Sequence, residues 1–519
     1  MRQFIAIHSR LIQGILNGYD RMLFRGTLRF LAFVDGMTGF MKRRRMLHKD
    51  FMAWSGSVTE RIKADAIRLA QASGGPPIYL TSSAVSKEEA ALAEARRRGV
   101  GEGLIGVFSC VEPCLSYGLF RNRAQRTLDL HLLRRKCLHY YFYWLHPALG
   151  LCHLRLQTWA PFSVQVCLNG RERLARQLVA ARIAHQQRDN CFVWIENIAA
   201  AQKLADAQLE TRWEDLLDGL LDQAFPARRE LFPEPQLRHY WSLQQSEWAT
   251  DLLFHRADDL ERLYPPLVRQ AMSGFQSDDI LRFLGRVNPN RVFAPGCRVA
   301  VTSDLKRRPE GIRVKHRVGN NSIKLYNKEG SVLRVETTIN EIRDFKERRP
   351  GPAGKPVWRR LRKGVAATRR RAEVCQNANN RYLDALAAAR TGERMEPLLA
   401  AASRPVHKRG RRHRGLRPWG EDAVLLKTLA RGEFLLNGFR NRDLRAALAT
   451  TPARPDDLVE SRKVAARISR QIARLRAHGL VRKVTGTHRY LLTTKGTKLC
   501  TAVLHLNQAQ IQDVVALAA

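Results

Sequence analysis

The C-terminal stretch carries the pattern that most restricts how this chain can fold. Between Glu421 and Cys500 the apolar residues recur first at helical and then at strand spacing. Ala423 to Leu429 predicts one helix, and Asn441 to Leu448 a second, short one entered through Asn441. Arg462 to His478 predicts a third, because Val464, Ile468, Ile472 and Leu475 fall on one face of a 3.6-residue period. Gly479 follows as a C-cap glycine. Leu480 to Val484 and Arg489 to Thr493 then alternate as two short strands around the turn Thr485-Gly-Thr-His488.

Helices followed by a basic hairpin make a winged helix-turn-helix. Its third helix pairs the apolar face with Arg462, Lys463, Arg467, Arg470, Gln471, Arg474 and Arg476, the donors a groove-reading helix needs. The hairpin offers Arg482, Lys483, His488 and Arg489 to phosphates. Ile472-Ala-Arg-Leu-Arg-Ala-His-Gly-Leu480, followed by Tyr490-Leu-Leu-Thr-Thr-Lys-Gly496, resembles the MarR-type winged helix. The whole chain is similar to long bacterial proteins with such an end. MarR-type modules pair through flanking helices, so the resemblance implies Ala502 to Leu517 as a candidate homodimer contact. The competing reading is a protein–protein module whose charges are merely solvated.

Composition narrows the partner. A net charge of +41 and a pI of about 10.9 exceed what solubility requires and predict a polyanion bound in a salt-dependent way. Nucleic acid, DNA before RNA, is the first candidate and an anionic membrane surface the second. No apolar run reaches a membrane span, and Met1 to His8 lacks a signal-peptide core, so a cytoplasmic location is expected. With 519 residues, 45% of them hydrophobic, the chain can build several real cores. The nine cysteines, odd in number and unevenly placed, read as reduced thiols. Cys110-Val-Glu-Pro-Cys114 has the spacing of half a zinc site, to be completed by Cys137 or Cys152, against the alternative of buried free thiols.

The expected fold class is a multidomain α+β protein. Residues 1–136 form an α/β domain and 137–345 a β-rich and helical body ending in a basic β-meander. A basic helical segment (346–403), a flexible basic linker (404–420) and the winged helix (421–519) follow. Ile5, Ile12, Ile15 and Leu16 mark an opening helix ended by Gly18. Ile78–Leu80, a helix Lys87–Arg98 capped by Ser86, and Leu104–Ser109 read as a βαβ unit. Cys137–Leu145 and Leu151–Trp159 predict a hairpin. Its aromatic run Tyr140 to Trp144 is either a stacking platform for unpaired bases or sheet core. Helices are expected at Gly170–Ala184, Ala199–Ala224, Leu243–Phe254, Ala257–Tyr264, Asp278–Leu284 and Trp358–Leu399. The last begins with Arg359, Arg360 and Arg370, and the linker carries Arg409, Arg411 and Arg412 as phosphate ligands.

Asp20, Glu247 and Asp251 bear on metal chemistry. Asp20 lies beside a strand, with pairing to Arg21 or Arg25 as the alternative to a metal role. Glu247 and Asp251, one turn apart on the expected helix, are half of a two-metal site or a solvated acidic patch. Any enzymatic activity of this kind would use a divalent metal such as Mg²⁺.

Residues 299–345 alternate every second position and predict a three-stranded meander. Ile312, Val314, Ile323, Leu325, Leu333 and Val335 face inward; Arg313, Lys315, Arg317, Lys324, Tyr326, Arg334 and Glu336 form an outward phosphate platform. Lys324-Leu-Tyr-Asn-Lys328 followed by Leu333-Arg-Val-Glu336 is similar to a strand pair of rolling-circle replication initiators. That resemblance implies Tyr326 as a strand-nicking nucleophile and Glu336 as a metal carboxylate. The initiators' paired-histidine motif is not matched, since His153 and His316 stand apart. The function expected is a nucleic-acid-processing or mobile-element factor. A Tyr326-dependent nickase and a MarR-like transcriptional regulator are the alternatives.

Overall fold

The computed structural model describes residues 1–234, 237–275, 277–285, 301–308, 311–351, 354–387, 395–408, 410–431, 434–435, 438–448 and 458–508. It is an α+β protein with a large mixed sheet. In chain order the strands are β1 (Ile12–Leu28), β2 (Ile78–Leu80), β3 (Gly103–Asn122), β4 (Thr127–His146), β5 (Gly150–Gln157), β6 (Val164–Asn169), β7 (His185–Arg188), β8 (Cys191–Ile195) and β9 (His239–Phe254). There follow β10 (Val301–Arg308), β11 (Gly311–Val318), β12 (Asn321–Lys328), β13 (Val332–Ile339), β14 (Lys346–Pro350), β15 (Pro356–Arg360), β16 (Val406–Lys408), β17 (Arg411–His413), β18 (Val481–Lys483) and β19 (Tyr490–Leu492). The chain divides into two compact units. One comprises Met1–Gln13, Phe254–Val335 and Asn377–Ala519, the other Gly14–Leu253 and Glu336–Gln376.

In the Gly14–Leu253 unit the strand order is the Glu336–Ile339 end of β13, then β9, β1, β6, β5, β4, β3 and β2. Pairing is antiparallel from β1 through β3, while β2 runs parallel to β3 and completes the expected βαβ unit. Ser86 caps the intervening helix by accepting the Glu89 N–H at 3.2 Å. Alternation along β1 sends Leu16, Met22, Phe24 and Leu28 to one buried face. Gly26 lies in the same file because a Cβ there would come within 2.8 Å of the Trp241 indole. On the opposite face the Tyr19 hydroxyl donates to the Thr368 carbonyl at 2.7 Å, and its ring meets Trp248 edge-on. Trp248 Nε1 donates to Gln376 Oε1 at 2.7 Å. The buried Arg371 guanidinium donates to the carbonyls of Leu243 and Ile339.

One expected helix is a strand, and another is helix only in its first part. The opening helix stops at His8 and β1 begins at Ile12; Leu243–Phe254 is part of β9. Both strands are covered on two faces over part of their length. Apolar residues then occur at adjacent positions and mimic helical spacing. Glu247 and Asp251 are therefore not one helical turn apart but about 13 Å apart along a strand. Smaller corrections follow the same chain. The helix from Gly170 ends at Ala180, and Ala199–Ala224 is two helices, Ile198–Ala207 and Trp213–Ala224. The Trp358–Leu399 segment opens with β15, which pairs with β14; the helix proper is Thr368–Leu386.

The other unit contains β10, β11, β12 and the Val332–Val335 part of β13. The expected meander has four strands, because Val301–Val318 folds back on itself as β10 and β11. Near the C-terminus come helices Ala423–Leu429, Asn441–Leu448 and Leu458–Ala477, the β18–β19 hairpin, and a helix Thr494–Gln508. They share one apolar core, with Leu426, Leu429, Ile468, Ile472, Leu475 and Leu480 buried in it. The basic linker is ordered into this core: β16 and β17 pair, and Leu416 is buried with its N–H donating to Ala402. Among the described residues no helix is long and apolar enough to cross a membrane.

Arg171 and Asp251 form an ion pair at 3.0 Å with both side chains 1% exposed. Removing one partner of such a pair strands the other charge in low dielectric. Asp251→Ala should therefore destabilise its unit by about 3–5 kcal/mol. The check is the urea midpoint followed by tryptophan fluorescence; a midpoint within error of the parent would show that the pair is not needed.

Candidate metal centre

Asp20 on β1, Glu247 on β9 and Glu336 on β13 each offer a carboxylate oxygen within 4.8 Å of the others. The three strands are consecutive in the order of one unit. Neighbouring strands lie about 4.8 Å apart, so Glu336 and Asp20, on either side of β9, start about 10 Å apart at the backbone, and it is side chains leaning over β9 that bring the three oxygens together. Asp20 and Glu336 are 2% and 3% exposed, and Glu247 is half-buried.

Surrounding groups aim the carboxylates. Asn190, in the turn between β7 and β8, donates its Nδ2–H to Asp20 Oδ2 at 2.7 Å. Gln245 donates to Glu247 Oε1 at 3.3 Å. A fourth carboxylate, Glu172, sits in the first turn of the helix Gly170–Ala180 and accepts from Gln187 Nε2 at 2.7 Å. Burial pushes the Glu172 carboxyl above its ordinary range; the Gln187 bond opposes that, and the charges of Asp189 and Asp20 add to it. The adjacent Arg171 is committed to Asp251.

Like charges this close repel by roughly 3–4 kcal/mol per ionised pair at an effective dielectric of 20. A bound cation relieves that repulsion. The donor set is all carboxylate oxygen, which suits a hard divalent ion such as Mg²⁺ or Mn²⁺. Held there, such an ion would supply Lewis-acid stabilisation of a phosphoryl group and lower the pKa of a water.

Each of the three carboxylates is visible in the sequence as a separate possibility, and their meeting is not. Asp20 has a local signal: it interrupts the period-two file Leu16, Gly18, Met22, Phe24. In the fold Asp20 accepts from the Asn190 amide and lies beside the Glu247 and Glu336 carboxylates. Glu172 and Asn190 carry no sequence signal.

Other expected site residues are placed differently. Arg313, Lys324 and Arg334 are 9%, 7% and 0% exposed, so they do not form an outward platform. The reason is that β12 and β13 are buried on both faces. Arg313 pairs with Asp304 at 3.0 Å. Lys315 is half-buried and Arg317 exposed. Tyr326 is 8% exposed with the Lys328 ammonium 5.5 Å from its ring centre, which is poor access for a nucleophile that must reach phosphorus. His316 bridges Ser303 and Tyr382, and burial pulls its pKa down to about 4. Tyr140 to Trp144 are all at most 6% exposed and form sheet core. Cys110 and Cys114 lie four residues apart on β3, roughly 13 Å, too far to share one zinc ion.

In the C-terminal module Arg467 and Arg470 are exposed on the helix Leu458–Ala477, and Gln471 is half-buried. Arg474 is instead taken by the buried Asp422, which also accepts from Arg414 and from the Arg417 N–H. Arg482 and Lys483 are exposed on β18 and Arg489 is half-buried. Arg411 and Arg412 are exposed on β17, as are Arg359 and Arg360 on β15; Arg370 is exposed and paired with Glu373 at 2.7 Å. Arg409 and residues 509–517 of the candidate dimer segment lie outside the described residues.

Mg²⁺ or Mn²⁺ at millimolar concentration should raise the melting temperature of the protein, and Asp20→Asn, Glu247→Gln and Glu336→Gln should each abolish that rise. An equal rise in all four proteins, read by differential scanning fluorimetry, would place the cation elsewhere. Comparison with family models, curated proteins and solved structures finds no match to this chain.

Proposed function

We propose that this protein is a divalent-metal-dependent nucleic-acid-processing enzyme. The observation that carries the reading is the convergence of Asp20, Glu247 and Glu336 from three neighbouring strands. A net charge of +41 supports a polyanionic substrate around that acidic centre. A cluster of three held together by the fold suits a metal that in turn holds a phosphodiester. Cleavage adds a hydroxyl from water to phosphorus and returns the proton to the departing sugar oxygen.

In the same reading the C-terminal module is a winged helix-turn-helix that positions duplex DNA. The helix Leu458–Ala477 enters a groove with Arg467 and Arg470, and Arg482 and Lys483 of the hairpin lie against phosphates. Arg411 and Arg412 extend this surface. Lys408, on the paired strand β16, donates to the carbonyl of Arg476 at 3.3 Å and ties the extension to the end of that helix. A duplex-binding module joined to a catalytic unit raises the local substrate concentration.

The test is incubation of the purified protein with end-labelled single-stranded and duplex DNA and RNA in Mg²⁺, Mn²⁺ or EDTA. Metal-dependent cleavage is expected, reduced about 100-fold or more in Asp20→Asn and Glu336→Gln with binding retained. Cleavage by the variants at the parent's rate would assign it to something other than this centre, and no cleavage of any substrate would overturn the enzymatic reading. Arg467→Ala with Arg470→Ala should weaken duplex binding about tenfold and lower its salt dependence.

A further inference from the structure

An aromatic stands exposed where the expected stacking platform does not. Tyr140 to Trp144 are core, but Trp358 on β15 is 65% exposed. It belongs to a two-stranded hairpin in which Lys346 opposes Arg360 and Glu347 opposes Arg359. Residues two apart on a strand share a face, so Trp358, Arg360 and Lys346 lie on one side of the hairpin. Lys346, Lys355, Arg359 and Arg360 are all exposed. The hairpin is a built element, not a loose loop. Phe345 and Leu361 at its base are buried and bonded backbone to backbone, and Arg349 is fixed to Glu347.

We propose that the β14–β15 hairpin is a binding site for single-stranded nucleic acid, with an unpaired base stacked on Trp358 and the adjoining phosphates on Lys346 and Arg360. This rests on the nucleic-acid reading above and names the strand state it requires. Bases inside a duplex already stack on one another and give an indole nothing to gain; an unpaired base does gain. The cations around the ring match a phosphate backbone and oppose a neutral or basic protein partner. The site is in the same compact unit as the carboxylate centre. A processing enzyme needs such a site to hold its substrate strand open.

The experiment measures binding of full-length protein, Trp358→Ala and Trp358→Phe to fluorescein-labelled oligo(dT), oligo(U), an abasic oligonucleotide of the same length, and a duplex. It is run in EDTA so that nothing is cleaved. Trp358→Ala should weaken oligo(dT) or oligo(U) binding about fivefold or more, and Trp358→Phe by less. The two strands tell DNA from RNA. Abasic and duplex binding should change less than about twofold, because neither presents a base to stack. Equal binding of oligo(dT) and oligo(U) by parent and Trp358→Ala would overturn the stacking site while leaving the nucleic-acid reading intact. Equal weakening on all four ligands would also overturn it, as would a tighter complex with an acidic protein than with any oligonucleotide. If the parent binds no oligonucleotide, both readings fall. Because Trp358 is exposed, an unchanged melting temperature of the variants checks that the fold is intact.

Discussion

The convergence of three carboxylates on one sheet face is the constraint around which the Gly14–Leu253 unit is arranged. Asp20, Glu247 and Glu336 occupy positions where an apolar residue would pack more cheaply. The fold sustains them by rigid means. β1, β9 and β13 fix their spacing through backbone pairing, and Asn190 fixes the rotamer of Asp20. Tyr19, Trp248 and the helix from Thr368 cover the reverse face. A loose sheet would let the carboxylates part. The packing opposes this and keeps the three carboxylate oxygens within 4.8 Å of one another inside a strongly positive chain.

The positive charge is used unevenly. Some arginines are structural: Arg171 is committed to Asp251, Arg371 to two backbone carbonyls, and Arg474 to Asp422. Their planar forks satisfy several buried acceptors at once, which lysine's compact ammonium does not. Others stay at the surface in groups: Arg467 with Arg470, Arg482 with Lys483, Arg411 with Arg412, and Arg359 with Arg360. Counting cations in the sequence finds the total and mixes these two populations. Burial separates them, because a buried guanidinium must have its partners within the protein.

Where local reading failed, it failed for a definite physical reason. Period-two alternation marks a strand but does not say whether its charged face is wet. β12 and β13 are covered on both sides, so Lys324 and Arg334 were legible as strand residues and illegible as buried ones. β9 was covered so completely towards its end that Leu252-Leu253-Phe254 resembled a helix face. The basic segment Arg404–Pro418 looked like a tether because its charges outnumber its apolar residues. Leu416 in the C-terminal core, Arg414 and the Arg417 N–H on Asp422, and Lys408 on the Arg476 carbonyl anchor it. Local reading held where the elements are short and one-sided: Ser86 capping the helix Lys87–Arg98, and Gly479 ending Leu458–Ala477.

By itself the sequence determined the α+β class, the strongly positive net charge, and the succession of helices and hairpin between Ala423 and Leu492. These depend on residue type and on neighbours within a few positions, where spacing translates directly into a face. Only the tertiary structure decided that Asp20, Glu247 and Glu336 share a centre, that Tyr140 to Trp144 are core, and that Trp358 stands exposed. Each of those outcomes depends on which strands become neighbours and which faces are covered. Strand order is set by the packing of the whole unit, and no local period records it.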